Sequence, residues 1–296
     1  MDMIDTLESR YVVYSKGKIS WSKNDVGFFV YTRSTSKLFQ VLPLYSLGLK
    51  EKYGLTDEEM VLLSSSHFGI PEQVNALRNI LAKTRLSIDK VQLPESVPRG
   101  RKSYLNWLAS GKKKSKIYHP CIGNHLAVML LEREMAGVAD GYLKVDGKAQ
   151  QYLSEMMASV FNIPLDQLIV MPDYCGMTNY YVSADKLAAA YGKYGVLTER
   201  NDWISNSAAI HRINIFKYPD MLEGEGGLAT IISGKKNMIG KTGTGGLLAI
   251  SVGKGDLKWE EDCGIVLQSK DGQWNMVARD VERILSLLSR RNTQMD

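Results

Sequence analysis

Arg33-Ser34-Thr35-Ser36-Lys37-Leu38-Phe39 and, far downstream, Gly240-Lys241-Thr242-Gly243 are the two stretches on which the reading of this chain turns. Ser34 and Lys37 are three residues apart, a spacing that puts both side chains on one face of a helix. A serine hydroxyl is a weak nucleophile until a neighbouring base takes its proton. A lysine serves as that base when burial or a nearby cation keeps its amine neutral. Apolar residues recur at helical spacing after Lys37 (Leu38, Val41, Leu42, Tyr45, Leu49), so Ser34 is expected at or near a helix N-terminus, where free N–H groups favour a developing negative charge. Pro43 divides that helix.

Ser-x-x-Lys followed by Lys-Thr-Gly resembles the pairing used by serine β-lactamases and penicillin-binding proteins. The order of elements suits it. Tyr11–Tyr14 and Val26–Thr32 read as strands of one hairpin, with turn residues Gly17, Asn24 and Asp25 between them. Helical patterns follow: a capping box at Thr56 and Glu59, then Pro71 to Lys83, Leu126 to Met135, Gln150 to Phe161, Ser183 to Lys193 and Trp203 to Lys217. Between them, Ile169 to Gly176 reads as a short strand breaking into a turn. Leu247–Val252 and Gly264–Gln268 read as antiparallel strands, and Asp280–Leu288 as a closing helix. The expected fold is α/β (α+β), a mainly antiparallel sheet flanked by helices with its first and last strands adjacent. It forms one unit over residues 1–296, with a helical subregion at roughly 40–220 inserted between N- and C-terminal strands.

The chain has 296 residues, 44% of them hydrophobic, enough for a sizeable core. A net charge of +5 demands no polyelectrolyte partner. Arg99-Gly100-Arg101-Lys102 and Gly111-Lys112-Lys113-Lys114-Ser115-Lys116 are basic clusters with Tyr104 and Trp107 between them; no nucleic-acid motif accompanies them, and they are expected to be solvated surface. Met1–Arg10 carries Asp2, Asp5 and Glu8 and has no apolar core of a signal peptide, and no run is long enough to span a bilayer. With three cysteines, Cys121, Cys175 and Cys263, a reducing, cytoplasmic setting is expected. Ser64-Ser65-Ser66 suits either a site or a helix-terminal linker. Cys121 and His125, four apart, suit either a metal pair or a buried thiol beside a core histidine.

Taken in order, several blocks resemble the L-asparaginase II family, the Rhizobium-type asparaginases: Arg33-Ser34-x-x-Lys37 with Gln40 and Pro43, Ser66-His67-x-Gly69, Cys121-x-Gly123-x-His125, Asp173-x-Cys175-Gly176, Tyr218-Pro219-x-Met221-x-x-Gly224-Glu225-Gly226, and Gly240-Lys241. The blocks run from about residue 11 to 290. The resemblance implies a serine β-lactamase-like fold, a homodimer, and hydrolysis of the side-chain amide of asparagine through two Ser–Lys pairs. Carried over, these are Ser34 with Lys37, and Ser66 with Lys241. Ser34 is then the nucleophile and Lys37 its base, with Ser66 and Lys241 relaying the proton; the reversed assignment, Ser66 as nucleophile, stays open. Arg33 and Asp173 suit the carboxylate and amine of a small amino acid, or an ion pair with each other. His67, His125 and Asn124 fall in blocks that border the substrate pocket.

The resemblance also implies a metal trio, Cys-x-x-Lys plus a distant Cys. Here Cys121 and Cys175 are present, but Asn124 stands where the lysine would be. An amide oxygen is a poor partner for a soft thiolate site. The Ser–Lys chemistry itself requires no cofactor. Thr178-Asn179-Tyr180-Tyr181, read as a loop, is bulkier than the Pro-containing pattern of the family and implies a reshaped pocket. Three functions are therefore carried: an asparaginase-type amidohydrolase on a small asparagine-like amide; a Ser–Lys hydrolase or acyltransferase on another, biosynthetic substrate; and a non-catalytic binder on the same scaffold. None involves nucleic acid or a membrane.

Overall fold

The structure, a computed structural model, describes residues 8–23, 27–196, 202–235, 237–254 and 262–291. Eight strands form two antiparallel sheets. The larger has the order β2-β1-β8-β7-β6, from β1 (Arg10–Ser15), β2 (Lys18–Lys23), β6 (Met238–Gly243), β7 (Leu247–Val252) and β8 (Cys263–Gln268). The smaller has the order β3-β5-β4, from β3 (Phe29–Tyr31), β4 (Ile169–Pro172) and β5 (Thr178–Ser183).

The helices in chain order are α1 (Lys37–Gln40), α2 (Pro43–Ser46), α3 (Leu49–Lys52), α4 (Asp57–Leu63), α5 (Pro71–Thr84), α6 (Arg101–Ala109), α7 (Ile122–Ala136), α8 (Lys148–Phe161), α9 (Ala184–Gly192), α10 (Trp203–Lys217), α11 (Leu228–Ser233) and α12 (Trp274–Arg291). This is the mixed α/β arrangement expected, with antiparallel sheets flanked by helices and β1 paired along its length with β8. Among the described residues, no helix is long and apolar enough to cross a membrane.

The sequence of β6 to β8 is nearly all apolar because the larger sheet is covered on both faces. Val12, Leu247, Ala249 and Val266 pack into the main helical core. Val13, Leu248, Ile250, Ile265 and Leu267 face the other way, against Val277, Val281, Ile284 and Leu285 of α12. Those four α12 residues recur at i, i+4, i+7 and i+8, one apolar stripe of a surface helix. On the first face, α9 lies almost against the backbone of β8. A Cβ on Gly264 would sit 1.8 Å from the carbonyl oxygen of Ala188, so only glycine allows that approach. Helix α7 is different again: Ile122 to Glu132 are all buried, an apolar helix enclosed on every side.

The capping box at Thr56 forms, with Glu59 N–H donating to Thr56 Oγ1 and Thr56 N–H donating to Glu59 Oε2. Pro43 divides the early helical pattern as expected, giving α1, α2 and α3. Two expectations are corrected. Tyr11–Tyr14 and the stretch ending at Thr32 do not form one hairpin: β1 turns back into β2, while β3 leaves for the smaller sheet and pairs with β5. β2 (Lys-Ile-Ser-Trp-Ser-Lys) is a half-buried edge strand, so its alternation is muted by polar residues. Asn24, Asp25 and Val26, together with residues 1–7, lie outside the described residues. The second correction is Thr178–Tyr181, which is the start of β5, the central strand of the smaller sheet, and not a loop.

Candidate active site

The chain reaches Ser34 through a sharp change of direction at the end of β3. Arg33 has a left-handed backbone, φ 49°, and opens a 3-10 turn, Arg33–Ser36, that leads into α1. A non-glycine residue there needs support from its surroundings. Asn179 of β5 supplies it: its Oδ1 accepts from Arg33 N–H at 2.8 Å, Thr32 Oγ1 at 2.9 Å and Tyr180 N–H at 2.9 Å. From the other side Tyr191 of α9 donates its hydroxyl to Thr35 O at 2.8 Å. The turn holding Ser34 is thus fastened by both β5 and α9.

One helical turn on, Lys37 is 4% exposed. Its Nζ donates to Ser65 O at 3.0 Å and reaches Ser66 Oγ at 3.4 Å. Lys241, on β6, is wholly buried and places its Nζ 2.9 Å from the same Ser66 Oγ. Two lysine side chains therefore converge on one hydroxyl. The three serines divide their work. Ser64 Oγ bonds Val61 O and the Nε2 of His211, Ser65 offers its carbonyl to Lys37, and Ser66 stands between the lysines. Ser66 N–H is taken by Leu222 O at 2.8 Å. The Ser34 hydroxyl and Ser34 N–H have no hydrogen-bond partner among the described residues.

Burial lowers the Lys241 pKa to about 7, and the Lys37 charge acts in the same direction against the pull of Glu223. Glu223 is itself fixed, accepting from Ala229 N–H at 3.0 Å and from the Thr242 hydroxyl. Ser34, Ser66, Glu223 and Thr242 line one cavity of about 490 Å³, whose walls include Phe68, Arg99, Asp173, Tyr174 and Trp274. Glu223 is not singled out by the sequence reading; Arg99, expected as solvated surface, is exposed and also lines the cavity. The run of glycines around Glu223, which lets the backbone fold the carboxylate inward, was the available signal.

Other residues picked out from the sequence sit elsewhere. His67 and His125 are fully buried and do not line the cavity. His67 Nε2–H donates to His119 O at 2.9 Å while Nδ1 accepts from Gly69 N–H at 3.1 Å, a neutral tautomer spent on the fold. His125 Nδ1 bonds Tyr142 Oη at 2.8 Å. Burial takes the pKa values of the two rings down to about 4 and about 3. Arg33 and Asp173 meet each other in an ion pair, with the guanidinium over the rings of Tyr31 and Tyr174; Asp173 lines the cavity and Arg33 does not.

Cys121 and Cys175 both line the cavity and lie within hydrogen-bonding reach of each other. The Cys175 S–H, with help from Lys37 and His119, holds the Cys121 thiol well below the usual range, and Cys175 is pushed up in turn. Asn124, at the position of the implied third metal ligand and expected to border the substrate, is fully buried, does not line the cavity and has neither amide atom hydrogen-bonded. Among the described residues no group of three or more His, Cys, Asp or Glu is placed to hold a metal. Two thiols and an amide do not make the donor set that zinc prefers. The open amide instead suits an ordered water.

Residues 7–295 match the family model described as L-asparaginase II. No curated protein matches the chain. Among solved structures, a Bacillus subtilis glutaminase in covalent complex with 5-oxo-L-norleucine is 11% identical, with 93% of this chain and 88% of that chain covered, at a TM-score of 0.40. A Bacillus glutaminase crystallised in concentrated NaCl is also 11% identical, with 96% and 92% covered, at a TM-score of 0.42.

Proposed function

Because the chain belongs to the L-asparaginase II family and is a hydrolase of amide C–N bonds, we propose that it cleaves the side-chain amide of asparagine or a closely similar small amide through an acyl-enzyme. The observation that carries this reading is the meeting of Lys37 and Lys241 on Ser66 Oγ in the cavity that also holds Ser34.

Ser34 is the nucleophile in this scheme. It is the less buried of the two serines, its hydroxyl and N–H are uncommitted, and it stands at the head of a helical segment. As Ser34 Oγ bonds to the amide carbon, its proton passes to Lys37 and is shared along Ser66 toward Lys241. The Ser34 N–H faces the oxygen that gains negative charge. The tetrahedral intermediate collapses with cleavage of the C–N bond, and the returning proton leaves with ammonia. Water then attacks the ester, its proton taken by the same relay, releasing the acid and restoring Ser34.

One observation favours a second assignment. Ser66 Oγ, 2.9 Å from a lysine whose pKa lies near 7, has the shorter contact with a base. Against it, Ser66 is 7% exposed and its N–H is occupied by Leu222 O. Intact-protein mass spectrometry with an acylating amide analogue decides between them. An adduct present in wild type and Ser66→Ala but lost in Ser34→Ala supports Ser34; one that persists in Ser34→Ala moves the role to Ser66. Ammonia release from L-asparagine tests the substrate. Turnover of another amide or ester, or acyl transfer to an amine, with none of asparagine would support a different specificity. The family resemblance supports a homodimer and the three free cysteines a reducing compartment. Light scattering and fractionation test these.

A further inference from the structure

The residue that the asparagine-like reading leaves without a task is Arg99. Of the two basic clusters in the segment before α7, the first is divided by the structure: Arg101 and Lys102 open the exposed helix α6, while Arg99, also exposed, lines the cavity that holds Ser34 and Ser66. Its place is built. Arg99 N–H and Gly100 N–H both donate to Phe68 O at 2.9 Å, and the guanidinium lies over the Phe68 ring, 5.8 Å from its centroid. Phe68 is two residues from Ser66, so the cation is tied by backbone bonds to the segment that carries the relay hydroxyl. The Arg99 charge also bears on Lys241: after burial, it is one of those that disfavour the ammonium form there.

Arg33, by contrast, is committed. Its guanidinium pairs with Asp173 and lies over the rings of Tyr31 and Tyr174, and Arg33 itself does not line the cavity. Arg99 has no carboxylate within ion-pair distance among the described residues. A guanidinium held over an aromatic ring at the wall of the cavity, its donors without a hydrogen-bond partner among the described residues, matches the planar fork of a carboxylate. We infer that Arg99 receives a carboxylate of the substrate, so that the amides this protein cleaves are those bearing a free carboxylate, and that Arg33 serves the fold of the Ser34 turn. This rests on the amide-hydrolase reading for its chemistry and on the cavity alone for its binding.

The test compares two amides that differ only in the carboxylate, succinamate and the neutral succinamide, by ammonia release with wild type, Arg99→Gln and Arg99→Lys. Loss of a charged hydrogen bond predicts that the preference for succinamate, taken as the ratio of kcat/KM values, falls about tenfold to a hundredfold in Arg99→Gln, through KM for succinamate. Arg99→Lys recovers part of it. A ratio unchanged in Arg99→Gln, or an identical loss in the charge-keeping and charge-removing variants, overturns the assignment. Titration calorimetry with succinate stands apart from catalysis. If wild type releases ammonia from neither amide, the hydrolase reading fails, yet succinate binding that weakens tenfold or more in Arg99→Gln still supports the carboxylate site; no binding, or equal binding in both proteins, rejects it. Unchanged circular dichroism and melting of the variants show that the fold is intact.

Discussion

Lys241 Nζ lies 2.9 Å from Ser66 Oγ, the lysine wholly buried behind the cavity that Ser66 lines, and burial brings its pKa to about 7. An amine that is half neutral near pH 7 can accept a proton, whereas one at the usual lysine value cannot. If it takes part in the relay, kcat/KM for amide hydrolysis rises with pH through about 7 and then levels, since the neutral form is the competent one. Lys241→Arg, which stays charged, is expected to lose activity by about a hundredfold to ten-thousandfold. A pH–rate profile over the range 5 to 9 checks this. An acid limb near the carboxylate range, or full activity in Lys241→Arg, removes Lys241 from the mechanism.

The same burial has a cost in stability. The folded pKa of about 7 lies below the unfolded 10.5, so between these values the folded state binds fewer protons than the unfolded chain. Stability owed to this residue therefore rises as pH increases through that window, with a limiting slope of roughly 1.4 kcal/mol per pH unit, and is flat below it. Lys241→Met removes the buried amine and with it the slope. Urea denaturation at pH 7 and pH 9 is expected to show the variant ahead of wild type at pH 7, with the gap shrinking at pH 9. A gap that does not change with pH would sink the argument.

What the sequence made legible is what depends on near neighbours. The capping box at Thr56, the break at Pro43 and the strands Leu247–Val252 and Gly264–Gln268 are all set within a few residues, and each is present in the structure; the Ser34–Lys37 spacing is equally local, yet Lys37 Nζ bonds Ser65 and Ser66. Joining β3 to β5 was not legible, because that pairing spans the whole helical middle of the chain and no local pattern distinguishes it from a hairpin with β1. His67 and His125 stand in blocks shared with reactive residues, but their ring nitrogens are spent on a carbonyl, an amide and a tyrosine that only the tertiary structure brings near. Arg33 and Asp173 read either as opposite charges available to a zwitterion or as an ion pair; the structure forms the ion pair, a contact across 140 positions that no local pattern decides.

Asn179 was equally hidden, and the structure makes it the support of the nucleophile turn. Its Oδ1 is the acceptor for three donors, two of them at Thr32 and Arg33. Asn179→Ala leaves these buried or half-buried donors without an acceptor and releases the left-handed backbone of Arg33. The expected loss is about 2–3 kcal/mol of stability, read by chemical denaturation. Below the unfolding transition, kcat for amide hydrolysis is expected to fall by more than tenfold with a smaller change in KM, because Ser34 is displaced rather than removed. Wild-type kcat in a destabilised Asn179→Ala would show that the turn holds its shape without it.

Metal content follows from position 124. Asn124 is a buried amide with both polar atoms open, three residues on from Cys121, and together with Cys121 and Cys175 it would offer zinc two strong donors and one weak one. The protein as purified is expected to hold well below one zinc per chain, and dialysis against a chelator should leave hydrolysis unchanged. Asn124→Lys places an amine where the family pattern has one and completes a Cys–Lys–Cys set. Lysine at a fully buried position is destabilising on its own, so this variant should melt below wild type without metal and be restored by added zinc, since a ligand that binds the folded state alone raises its stability. Zinc should not move the melting of wild type. Stoichiometric zinc in wild type by elemental analysis, with activity lost on chelation and regained with zinc, would mean that Cys121 and Cys175 recruit a third donor of their own and that the asparagine is no obstacle.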